Sequence, residues 1–312
     1  MDRPRRTVDL DPIGGVWLTA NLGYPARTIE ENDRWKIGID ANGVTTKWWK
    51  GHYATPLQME FAVRTFEDWK QWKGNLKLER FPVDPKVIED SKRARNEGRF
   101  HYLTVDEPIW FALRILGHDH CLERMADEPD FVEDIVATLT DFGLARMEAA
   151  IHAGGQFDVL WLWSDLCYKN GMLFSPGFYR KRFLRYHRKI KGWCSQHRLP
   201  IVFHCDGDVR QFIPCLLEAG MDCVQPLEER CGNDVRELKK QFGRDICLFG
   251  NIGMDVLATG DRARIRHEVE TKVQTAKVGG GYISHSDHSV PPTVSWDDYR
   301  FWLDLAHEAG RY

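Results

Sequence analysis

The chain has 312 residues, 43% of them hydrophobic and 29% charged, with a formal net charge of −3. That is the make-up of a soluble globular protein with material for a substantial core. Lys and Arg are scattered apart from the short tail at Arg3, Arg5 and Arg6, which argues against nucleic acid as a partner. No apolar run approaches the roughly 18 residues of a membrane span. The opening Met1-Asp2-Arg3-Pro4-Arg5-Arg6 is too polar for an export signal, so a cytoplasmic location is expected.

Residues 1–30 form a poorly defined N-terminal segment. Trp35 to Asp40 and Val44 to Trp49 then flank Ala41-Asn42-Gly43, a strong hairpin signal. His101 to Val105 reads as a strand that ends in Asp106-Glu107-Pro108. A long helix runs from about Pro129 past Met147, with Phe131, Ile135, Leu139 and Phe142 as its stripe.

From residue 158 the pattern becomes regular. Asp158 to Trp163 is a strand, and Ser175-Pro176 opens a helix through about Gln196. A strand over 200–204 leads into Phe203-His204-Cys205-Asp206-Gly207-Asp208, and a helix follows from about Pro214 to Gly220. Asp222 to Gln225 is the next strand, with Asn233 capping the helix after it. Ile246 to Phe249 and Gly281 to Ile283 are further strands, and Asp261 and Ser295 cap the remaining helices. Strands alternating with helices of this length give a parallel sheet with crossovers. Five such units in a row without a dinucleotide glycine fingerprint favour an α/β fold closed as a barrel, a single domain over 1–312 with an N-terminal β-hairpin elaboration.

The eight cysteines include no Cys-x-x-Cys pair. In a chain of this size they read as reduced thiols in a cytoplasmic protein, which excludes a zinc ribbon or finger.

In such a barrel, chemistry gathers at the C-terminal strand ends. Those ends carry Glu107, Asp165, His204 with Asp206, Glu228 with Glu229, Asn251, and Asp287 with His288. Along a strand, His204 and Asp206 point the same way and Cys205 the opposite way. An imidazole and a carboxylate so placed make half of a metal site or half of an acid–base site. Converging acids around two histidines suit a divalent metal, since without one they would repel each other. Plainer readings stand beside these. His204 could be a hydrogen-bonded barrel histidine, Asp206 a turn former and Asp208 a cap. Glu228 and Glu229 could be surface residues, and 285–288 a solvated loop. Trp161 and Trp163, beside Asp165, could line an apolar pocket.

Ile201 to Asp208, Ile213 to Asp222, Leu248 to Ile252, and Gly280 to Ile283 through Asp287-His288-Ser289-Val290-Pro291-Pro292 resemble, in order and spacing, the uroporphyrinogen decarboxylase superfamily. The resemblance covers about residues 30–312 and is strong from about 158. It implies a (β/α)8 TIM barrel and one of two activities. True uroporphyrinogen decarboxylases use no metal and an arginine-rich opening loop, whose pattern Arg3-Pro4-Arg5-Arg6 lacks. The cobalamin-linked methyltransferases hold zinc through a His-x-Cys motif and a later Cys. Those positions fall on His204, Asp206 and His288, so the implied metal ligands are these three. Zinc is the expected ion, and the harder ligand set also suits iron(II) or manganese(II).

The resemblance therefore implies a metal-dependent methyltransferase of the corrinoid-linked type. It would move a methyl group from a small methyl ether, an O-demethylation, or from a methylamine to a corrinoid carried by a partner protein. Asp165, Glu107 or Glu228 would supply a proton or orient the substrate, Asn251 would hydrogen-bond it, and Trp161 and Trp163 would wall the pocket. A homodimer is a further expectation. The alternatives are a decarboxylase acting on a smaller acid, and a barrel that binds a ligand without turning it over.

Overall fold

The computed structural model describes residues 10–51 and 55–311; the Arg3, Arg5 and Arg6 tail lies outside them. In chain order the strands are β1 (Ile13–Leu18), β2 (Arg27–Glu31), β3 (Trp35–Ile39), β4 (Val44–Trp49), β5 (Leu57–Phe61), β6 (Phe100–Val105) and β7 (Val159–Trp163). They continue with β8 (Cys167–Tyr168), β9 (Gly171–Met172), β10 (Ile201–His204), β11 (Cys223–Gln225), β12 (Cys247–Ile252) and β13 (Tyr282–Ser286). The main sheet runs β1-β6-β7-β10-β11-β12-β13, and every pairing in it is parallel. Its winding never reverses, as in a barrel and unlike a doubly wound sheet.

The sheet is curled. Trp161 on β7 meets Phe249 on β12 at a ring-centroid distance of 5.5 Å, although β10 and β11 stand between them. Val159, Trp161, Val202, Cys223 and Phe249 pack together on the concave face. The alternating residues Leu160, Leu162, Ile201, Phe203, Val224 and Leu248 join the larger core beneath the helices. Burial on both faces is why these strands read as nearly continuous apolar runs.

The expected eight-stranded closed barrel is corrected to a seven-stranded, barrel-like sheet. Among the described residues no strand joins β13 to β1. Strands β2 to β5 instead build a separate antiparallel sheet, β2-β3-β4-β5. The reason is visible in β2, Arg27-Thr28-Ile29-Glu30-Glu31, which is exposed along its whole length. A strand of that polarity cannot enter a parallel sheet buried on both faces. The hairpin lies where it was expected, with β3 and β4 joined by Asp40–Gly43. There Asp40 Oδ1 accepts the N–H groups of Asn42 and Val44, and Gly43 has φ +77°.

Part of the segment that had looked undefined, β1, is an edge strand of the main sheet. Its Gly15 lies against Tyr102 of β6, and a Cβ at 15 would come within 2.2 Å of that ring. The close fit demands a glycine, and glycine weakens the strand signal.

Smaller differences also have local causes. The helix expected from 176 to 196 breaks at Phe183 into Pro176–Arg182 and Leu184–His197. Asp234, not Asn233, caps Val235–Phe242, because the Asn233 amide is taken up elsewhere. All eight cysteines are free thiols. No helix among the described residues is long and apolar enough to cross a membrane.

Candidate metal centre

Strand β10 delivers His204 to the C-terminal rim, with Cys205 turned into the helix-side core and fully buried. Beyond it the chain turns at Gly207, where φ is +89°. The turn presses on the β8–β9 hairpin: Asp208 N–H donates to Tyr168 O at 2.9 Å. A Cβ on residue 207 would lie 2.7 Å from Tyr168 N. Asp206 is thereby returned beside His204, and Asp206 N–H donates to Asp165 Oδ1 at 3.1 Å. Gly207→Ala should cost about 1–3 kcal/mol of stability through strain at that φ. The added methyl would also displace Asp206. Thermal melts paired with metal-binding titrations check this, and an unchanged melt would show that the contact is not tight.

His204 Nε2 stands 3.7 Å from Asp165 Oδ1 and 3.8 Å from Asp206 Oδ1. One ligand atom from each of the three residues lies within 4.8 Å of the others. Two ligands on a tetrahedral zinc stand about 3.4 Å apart, so a small side-chain movement would close the three around one ion. On its far side the imidazole is fixed. His204 Nδ1 meets Gln225 Oε1 at 2.5 Å. A carboxamide oxygen only accepts, so Nδ1 carries the hydrogen and Nε2 is the nitrogen turned toward the carboxylates.

The Asp206 carboxylate favours a cation. Its Oδ1 is buried and has no hydrogen-bond partner. Burial, the largest influence, holds the Asp206 carboxyl above its ordinary range; His204 and His288 oppose that, while Asp165 and Glu228 add to it. A positive ion at this point would satisfy the orphaned oxygen and relieve the crowding of charge. The donor set of one imidazole and two carboxylates fits zinc, iron(II) or manganese(II).

His288 sits at the edge of this group, half exposed, with Nε2 3.6 Å from Asp206 Oδ2. The structure thus adds Asp165 to His204 and Asp206 as the tight cluster and keeps His288 adjacent through Asp206. Beneath them Trp163 lies 4.4 Å from the His204 ring, stacked between Trp161 and Trp17 at 5.2 and 5.5 Å. The indole N–H groups of Trp161 and Trp163 are buried without acceptors.

The other strand-end residues point elsewhere. Glu107, expected to move a proton, is fully buried on the helix side. It caps helix Pro108–Leu116 by accepting from Ile109 and Trp110 N–H, and its Oε1 meets His187 Nε2 at 2.8 Å. His187 Nδ1 in turn meets Tyr179 OH at 2.6 Å. Glu228 accepts from Gly207 N–H at 2.9 Å and from Arg230 Nε at 2.6 Å. Its carboxyl stays below the ordinary range: burial pushes upward, but Arg230 and the Gly207 amide prevail.

Asn251, expected to bind substrate, is fully buried and engaged with backbone groups. Its Oδ1 accepts from Val235 N–H at 2.9 Å, and its Nδ2 donates to Leu227 O at 2.6 Å and to Asn233 O. Asn233 donates to Gly207 O and Glu228 O, both at 2.8 Å. Asp287 receives Met254 and Glu229 N–H. These side chains stitch the loops that carry the site. Gln225 and Trp17 went unnoticed as site residues, and only the position of Gln225 at a strand end could have signalled it.

A family model described as uroporphyrinogen decarboxylase (URO-D) matches residues 101–309. Among curated proteins, none matches this sequence. Among solved structures, the chain is similar to a methyltransferase from Methanosarcina mazei. The two share 17% identity and a TM-score of 0.58, covering 82% of this chain and 72% of that one. The YdjI aldolase from Escherichia coli K12 aligns at 9% identity and a TM-score of 0.25, over 77% of this chain and 93% of that one.

Proposed function

The chain belongs to the uroporphyrinogen decarboxylase family, and from that premise we propose that it is a metal-dependent methyltransferase. It would move a methyl group between a small methyl ether or methylamine and a corrinoid carried by a partner protein. The observation that carries this reading is the Asp165–His204–Asp206 cluster, with one buried carboxylate oxygen left unpaired. The family match and the likeness in fold to a methyltransferase support it.

Asp165, His204 and Asp206 would hold the ion, with His288 beside them. Bound there, a divalent ion supplies Lewis-acid polarisation of the ether oxygen or amine nitrogen. The chain's own groups do the rest. Gln225 keeps Nε2 of His204 directed inward. Asp165 orients the 206 turn through the Asp206 amide. The half-exposed His288 is placed to hold a proton at Nε2 for the leaving heteroatom. Trp163 and Trp17 offer an apolar wall beside the reacting centre and limit water on that side.

Metal analysis after anaerobic loading with zinc, iron(II) or manganese(II) should find one ion per chain. His204→Ala and Asp206→Ala should each abolish it. Methyl transfer from candidate ethers and amines to free cob(I)alamin, followed by absorbance, tests the reaction. A protein that binds none of these ions and decarboxylates a carboxylated substrate would replace this reading with the metal-free branch of the family.

A further inference from the structure

At the opposite end of the sheet from the His204 site, two cysteines stand side by side. Cys223 opens β11 and Cys247 opens β12, and they are direct partners in the parallel register. Neighbouring parallel strands lie about 4.8 Å apart, inside the 4.4–6.8 Å over which disulfides join Cα atoms. Both side chains face the concave interior, packed with Val202, Trp161 and Phe249. Cys223 is 5% exposed, whereas Cys247 is only partly buried.

We infer that Cys223 and Cys247 form an oxidisable dithiol site that takes hydroperoxides as its oxidant and closes to a disulfide. The two thiols are electrostatically unequal. The neighbouring Cys223 thiol, with Lys239 assisting and burial opposing, holds the Cys247 thiol below its ordinary range. The contact with Cys247, together with burial, pushes Cys223 well above its own. Cys247 is therefore the attacking sulfur and Cys223 the resolving one.

In the first step the Cys247 thiolate attacks the distal peroxide oxygen. An S–O bond forms, the O–O bond breaks, and the leaving hydroxide takes a proton to become water. In the second, the Cys223 sulfur attacks the Cys247 sulfenic acid. The S–S bond forms, the S–O bond breaks, and a second water leaves. Two thiols are oxidised by two electrons and one peroxide is reduced to two waters.

The test uses the full chain, hydrogen peroxide, thiol titration and non-reducing peptide mapping, and depends on no bound metal. The expected result is loss of two of the eight thiols and one cross-linked peptide joining 223 and 247, reversed by dithiothreitol. Cys223→Ser should stop at a dimedone-reactive sulfenic acid on Cys247, and Cys247→Ser should leave Cys223 reduced. The inference is overturned if Cys167, Cys205 or Cys231 oxidises first, if either serine variant still loses two thiols, or if all eight survive peroxide.

Discussion

Replacing His187 with alanine is expected to lower the free energy of unfolding by about 1–3 kcal/mol, the cost of leaving its buried hydrogen-bond partners unsatisfied. His187 is the middle of a chain in which Tyr179 OH and Glu107 Oε1 occupy its two ring nitrogens at 2.6 and 2.8 Å. His187 and Glu107 are 1% and 0% exposed at their side chains, so the partners of the lost ring are left away from bulk solvent. The Tyr179 hydroxyl is held as the protonated phenol, its pKa pushed well above the ordinary value by burial and then by Glu107. Tyr179→Phe, which removes only one end of the chain, should cost about 1 kcal/mol. Urea denaturation of both variants gives the two values. A His187→Ala loss below about 1 kcal/mol would mean that Glu107 has other support.

Gln225→Leu should weaken metal binding by roughly 10–100-fold, the usual effect of losing the partner that orients a ligating imidazole. Gln225 is 5% exposed, and leucine is close to it in size, so the fold should persist. What disappears is the acceptor for His204 Nδ1–H, and the ring is then free to present the wrong nitrogen. Gln225→Glu keeps an oxygen at that place and should retain most of the affinity. Calorimetric titration with zinc separates the outcomes. Equal affinity in the leucine variant would remove Gln225 from the argument while leaving the centre itself intact.

Much of the second half of the fold could be read from its residues. Two-sided burial makes β7, β10, β11 and β12 apolar runs, and Asp261 and Ser295 cap the helices they were expected to cap. The hairpin at Asp40–Gly43 was equally legible. β1 was hidden because its contact with Tyr102 selects a glycine where a strand former would stand. That only seven strands join the main sheet among the described residues was hidden too, since counting strands does not show which sheet a polar strand such as β2 will join.

The site was legible only in part, for one physical reason. A polar residue at a strand end either faces the mouth or ties down the loop that follows, and both roles select the same residue types. His204 at the end of its strand and Asp206 in the turn just beyond it both face the mouth. Glu107, Asn251 and Asp287 instead spend their hydrogen bonds on backbone amides and carbonyls. Asp165 joins the His204–Asp206 cluster because the 206 turn returns its amide to Asp165, a long-range fact that no local pattern carries.

The unpaired borders of the main sheet have a consequence for how the molecule yields. A closed cylinder has no outermost strand, whereas here β1 and β13 are outermost among the described residues. Trp17 on one and Ile283 on the other are 51% and 43% exposed. Deuterium should enter these two strands soonest and β10 and β11 last. The His204 and Gln225 pair sits in the slow-exchanging middle, the part of the sheet that heat would open last.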